Sequence, residues 1–224
     1  METIDVLYLI LNIFEAIAAV VGFLYFNKIK NSFWKWFPYY LTFIIISDII
    51  SRNFAKYDLR LTCKIFYGYF EIPVEFFFFF WLFHKSFDQT KYKRLPIICA
   101  VIYTASWIAD MVYFSTLDFW FYSISYTIGN LLLLVLILRY FIQLVTSNAI
   151  LNFKQDMLFW VSTGLLLFYL GTFPYYGLRN TLVYKYRELY TTYSYIMYVL
   201  NSLMYLMFTF SFIWGKPNIK YSSS

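Results

Sequence analysis

The sequence predicts an all-α membrane protein, a bundle of seven transmembrane helices with the N-terminus outside and the C-terminus in the cytoplasm. Three observations lead there. The 224 residues are 62% hydrophobic and only 13% charged, about half the charge that a soluble domain of this size uses to cover its surface. Apolar runs approaching the roughly 20 helical residues needed to cross the hydrocarbon layer recur seven times. These runs are continuous, without the period-two alternation of a membrane barrel.

Each run has its own character. Leu7–Phe26 follows an acidic METIDV start that lacks the basic region of a cleavable signal peptide, so it is expected to remain as a span. Phe37–Ile50 is short and is expected to continue toward Ala55. Ile65–Phe83 contains YFEIPVEFFFFFW, with Glu71 and Glu75 on either side of Pro73. Pro96–Tyr113 is a plain span, and Phe119–Val145 is long enough to tilt. Met157–Tyr176 and Tyr190–Ile213 complete the set. Tyr and Trp gather near span ends, as in FWKWFPYY and YTTYSYIMY, in the manner of an interfacial aromatic belt. Residues 1–215 read as one transmembrane domain and 216–224 as a short, mobile cytoplasmic tail.

Orientation follows the Lys and Arg of the connections. Ten lie on the side of Lys28, Lys30, Lys35 and the cluster Lys85, Lys91, Lys93 and Arg94, against seven on the side of Arg52 and Arg60. That bias puts the first side in the cytoplasm and suits a multi-pass protein of the inner (plasma) membrane. The net charge of +6 then reflects topology and attraction to an anionic bilayer, and no nucleic-acid partner is expected. Cys63 and Cys99 are expected on opposite sides of the bilayer, too far apart for a disulfide. His84 stands alone at a span end, so no metal site is expected. Walker and GxGxxG loops are absent from the sequence, no cofactor is expected, and any signal would need a separate cytoplasmic partner.

The acids carry the functional expectation. Ionisable residues inside a membrane are costly and usually face a bundle interior or a wet cavity. Five are expected there: Glu15, Asp48, Glu71, Glu75 and Asp110, with Asn130 and Asn201 completing the same layer. Glu71 and Glu75 lie four apart and so share a helix face. Pro73 cannot donate to the Tyr69 carbonyl and is the expected hinge. No Lys or Arg is expected at that depth, Arg52 being the nearest. The site is expected to hold protons, a cation or a donor-rich small ligand. The bland alternative is that the acids glue helices together by hydrogen bonds. FFFFFWLF and LLLLVLIL on the other half of the bilayer offer no ionisable steps, which favours an outward-facing receptor or sensor over a carrier. A small proton- or cation-coupled transporter is the alternative, and an intramembrane carboxylate enzyme stands third.

The stretches FEAIAAVVGFLYFNKIKNS, FYGYFEIPVEFFFFFWLFHK and DMLFWVSTGLLLFYLGTFP resemble a family of small seven-helix inner-membrane proteins of Bacteroidota. The resemblance implies a bacterial inner membrane and separate signalling proteins. It supplies no ligand or catalytic residue. Other seven-helix families fit less well: the last run lacks the retinal-binding Lys of microbial rhodopsins, and FHKSF replaces the acidic-Arg-Tyr signature of G-protein-coupled receptors.

Overall fold

The computed structural model describes residues 3–56, 62, 65–88, 90–113 and 123–217, and these are helical almost throughout. Seven long helices succeed one another: α1 (Thr3–Leu24), α2 (Trp36–Lys56), α3 (Ile72–Ser86), α4 (Leu95–Tyr113), α5 (Ser123–Val145), α6 (Met157–Gly177) and α7 (Arg187–Trp214). Short helical turns fill Phe26–Ile29, Phe33–Lys35, Asn148–Gln155 and Arg179–Lys185. Cys63, the turn at 114–118 and the tail from residue 218 onward lie outside the described residues. Lys216, at the start of that tail, is tied down: its amide donates to the Gln155 carbonyl.

Five of these helices, α1, α4, α5, α6 and α7, are long and apolar enough to cross a membrane. The other two fall short for opposite reasons. α2 is 21 residues long but carries Asp48, Arg52 and Lys56. α3 has only 15 α-helical residues, although a five-residue π turn, Tyr67–Glu71, runs into it without a break. At about 1.5 Å of rise per residue the two together match a hydrocarbon thickness of about 30 Å.

The helices form a ring in the order α2, α1, α7, α6, α5, α4, α3. α3 also packs inward against α5, and its π turn meets α2, which closes the ring. The most extensive contact joins α6 to α7. Close approach there depends on Gly164, where a β-carbon would sit 3.1 Å from the Met204 carbonyl oxygen. Gly129 on α5 does the same for the centre, since a β-carbon would meet the Phe76 ring at 2.8 Å and the Tyr103 ring at 2.9 Å. In hydrocarbon no transfer energy drives helices together, so close packing of this kind has to supply the cohesion.

The aromatics are divided between belt and core. Trp36, Tyr39 and Trp214 face outward, while Phe76, Phe79, Phe80 and Phe83 of α3 are fully buried. The FFFFF run therefore serves mainly as interior filling, with Phe77 as the exposed member. At the same end of the ring Arg139 lays its guanidinium 3.5 Å from the centre of the Tyr92 ring, and His84 Nδ1 lies 3.0 Å from the Lys93 carbonyl oxygen. Long cationic side chains placed so keep their charge toward the headgroup level.

Candidate functional site

Pro73 shapes the site from the backbone outward. It sits at the second position of α3, and having no N–H it leaves the carbonyl four residues earlier without its helical donor. The chain responds with a wider turn: the Ile72 amide donates to the Tyr67 carbonyl, five residues back. A π turn inserts one extra residue into the helical register and commonly marks functional positions. Its effect here is to turn both Glu71 and Glu75 to one interior cavity.

That cavity has a volume of about 80 Å³ and lies between α1, α2, α3 and α7, with α5 and α6 behind. Glu15, Asp48, Glu71 and Glu75 line it together with Asn201, and Tyr40, Tyr67, Tyr126 and Tyr205 supply phenol rings. Glu15, Asp48 and Glu71 share this lining closely enough for their carboxyls to act on one another, and Glu71 Oε2 accepts from the Ser51 hydroxyl at 3.5 Å. The Tyr169 hydroxyl donates to Glu75 Oε1 at 2.6 Å. Glu15 and Glu71 are deeply buried, whereas Glu75 and Asp48 keep part of their surface.

No family model matches this chain. No curated protein and no solved structure is significantly similar to it either. The chemistry of the site therefore rests on its own geometry.

Among the described residues no Lys or Arg lines the cavity. Arg52, the nearest cation in the sequence, is exposed and places its guanidinium 4.1 Å from the centre of the Tyr8 ring. Among the described residues no three His, Cys, Asp or Glu side chains are grouped to hold a metal ion. The donor-hungry carboxyls and phenol faces instead match an ammonium group, which carboxylates attract by charge and aromatic faces by their quadrupole. A volume of 80 Å³ has room for such a head or for a handful of waters.

Two of the seven residues singled out in the sequence do not line the cavity. Asp110 is buried where α4 meets the start of α5, and its Oδ2 accepts from the Ser125 amide at 2.7 Å. It satisfies one of the orphan N–H groups of a helix start. Asn130 is also buried and donates from Nδ2 to the Tyr169 carbonyl at 3.2 Å, bracing α5 against α6. Both are polar bonds between helices, the gluing role that membrane bundles use. The phenols were the residues that sequence reasoning missed. Twenty-four tyrosines hide the few that face inward; separation from the span ends could have marked Tyr169 and Tyr205, whereas Tyr40 sits inside the belt-like stretch FWKWFPYY.

A second buried acid lies at the opposite end. Asp156 precedes α6, accepts from the Tyr140 hydroxyl at 2.7 Å and caps the Leu158 amide at 3.0 Å. Burial pushes its carboxyl up to about 6, against the pull of those two donors.

Proposed function

We propose that the protein is a seven-span, receptor-like membrane protein whose intramembrane cavity binds a small ammonium-bearing ligand. The observation that carries this reading is a cavity that, among the described residues, is lined by four carboxyls and no cation. Acids so placed are expensive in a membrane and persist where they have work to do. The five apolar helices support the membrane assignment, and α2 and α3 complete the count because their acids turn inward, away from lipid. We place the N-terminus outside and the C-terminus in the cytoplasm of a bacterial inner membrane, with a separate cytoplasmic partner carrying the output. Binding would favour whichever arrangement of α3 holds the ammonium better, and the π turn beside Pro73 is the natural place for that helix to move.

Methylammonium is the simplest probe. Purified protein in nanodiscs should bind it, and Glu75→Gln should weaken binding by about tenfold, the cost of one charge-assisted hydrogen bond. Binding that ignores every carboxyl-to-amide variant would remove the reading.

A second reading has one observation in its favour. Glu15, Asp48 and Glu71 gather in one cavity, a set of neighbouring carboxyls that could pass protons, as a proton-coupled transporter requires. Saturable uptake of methylammonium into liposomes, driven by a proton gradient and lost in Asp48→Asn, would make the protein a transporter.

A further inference from the structure

Tyr40 belongs to two spaces at once. Its phenol forms part of the wall of the acidic cavity, which Glu75, Glu71 and Glu15 also line. On its other side an open apolar cleft of about 510 Å³ runs between α2 and α3 on the outer surface of the bundle. Trp36, Tyr39 and Phe43 form one wall of that cleft, and Val74, Phe78 and Trp81 form the other. The Tyr40 ring lies flat on Phe78, with centroids 4.0 Å apart and planes 3° from parallel. Tyr40 is thus the residue shared by a small cavity rich in carboxyls and a much larger trough on the outer surface of the bundle.

The two volumes differ in what they can hold. A cavity of 80 Å³ takes an ammonium head and little else, so any further substituent has to leave it. The trough is wholly apolar apart from phenol and indole edges, and it runs from the middle of the bundle to the Trp36–Trp81 end. Lys35 stands at that end, 5.5 Å from the centre of the Trp36 ring. Charge complementarity fixes the head, and the lining fixes the tail.

We propose that the ligand is an amphiphilic amine: its alkyl tail lies in the α2–α3 cleft, its ammonium passes Tyr40 into the acidic cavity, and it arrives sideways from the bilayer. The proposal rests on the ammonium reading above and goes beyond it by naming the route and the apolar half of the ligand. Tyr40 is then a door leaf. Swinging off Phe78 it joins the two spaces, and swinging back it lays its ring along the chain that has entered.

The test compares two probes, methylammonium and a dodecylammonium brominated along its chain, on the full protein in nanodiscs. Brominated dodecylammonium should quench tryptophan emission saturably, beyond the background of brominated dodecanol. Trp36→Phe with Trp81→Phe should remove most of that saturable part. Val74→Phe fills the cleft without lining the cavity. Overpacking of this kind should weaken dodecylammonium binding by about tenfold and leave methylammonium binding, read by calorimetry, within about twofold. Dodecylammonium binding that Val74→Phe leaves unchanged overturns the proposal. Methylammonium binding with no saturable dodecylammonium site overturns it too, while the ammonium cavity stands. Failure of both probes on the parent protein overturns both readings. If Val74→Phe loses both probes it has misfolded, and Val74→Leu then decides between the same outcomes.

Discussion

At the scale of single residues, a hydroxyl and a carboxyl at opposite ends of the molecule lead to the sharpest expectations. The Tyr169 hydroxyl holds Glu75 at 2.6 Å. Tyr169→Phe keeps the ring in its packing and removes only the donor, so it should destabilise the fold by about 1–3 kcal/mol. It should also weaken methylammonium binding, because Glu75 loses its fixed direction, and calorimetry on the same sample reads both effects. Asp156 behaves differently. Its carboxyl is pushed up to about 6 by burial, so between about pH 4 and 6 the folded chain holds a proton that the unfolded chain has released. Stability therefore falls as pH rises through that window, by at most about 3 kcal/mol. Asp156→Asn should flatten the dependence, and melting curves at pH 4.5 and 7.5 would reveal a persisting slope if Asp156 were not responsible. These two acids also show where sequence legibility ends. Glu15, Asp48, Glu71 and Glu75 stand out because they interrupt apolar runs. Asp110 stands out equally, yet its partner is the Ser125 amide across a turn, which no spacing rule announces. Asp156 looks like an ordinary loop residue beside Lys154, and its burial depends on Tyr140 of another helix.

At the scale of elements, α3 decides how the site is built. The sequence announces a bend at Pro73 but not the form it takes. A proline at that position is compatible with a kink, a break or an extra residue in the turn, and the choice falls to the packing of Tyr67–Glu71 against α2. Pro73→Ala restores the missing donor, so the π turn should relax to an α-helical one. Losing one residue of register turns everything before it by about 100°, which carries Glu71 away from the cavity. The variant should melt no lower than the parent and bind methylammonium at least about tenfold more weakly, the loss of one charged partner. Slower hydrogen exchange across Tyr67–Ile72 would report the relaxed turn. Unchanged exchange and unchanged affinity together would mean that the π turn does not depend on Pro73. Helix ends were less legible than helix centres. α2 is the exception: it begins at Trp36 and reaches Lys56, one residue past the Ala55 toward which the sequence extends it. α7 starts at Arg187, three residues before its apolar run.

At the scale of the whole molecule, apolar length alone identifies five spans, and the ring order explains why the other two can join them. α2 and α3 are neighbours, and the charges that disqualify α2 by composition include Asp48, which faces the cavity. If the two insert as a pair, as proposed above, the chain crosses seven times and its termini lie on opposite sides. A reporter active only outside the cytoplasm should therefore work when fused before Met1 and fail when fused after Ser224. The same activity at both ends would leave an even number of crossings and displace α2 or α3 from the bilayer.

Glu15 on the first helix and Tyr205 on the last line the same cavity, and this sets a constraint on biogenesis. A ribosome delivers α1 to the bilayer long before it has made α7. During that interval Glu15 is in the membrane without the α7 side chains, Asn201 and Tyr205 among them, that complete its cavity. Completion of synthesis and concealment of the acids are thus one event, and an unfinished chain displays carboxyls that a membrane protease can recognise. Chains ending at Lys185 should be cleared rapidly, and Glu15→Leu should prolong the life of the truncated chain while leaving that of the full-length protein nearly unchanged. Equal turnover of the two truncated chains would show that the exposed acid is not what marks them.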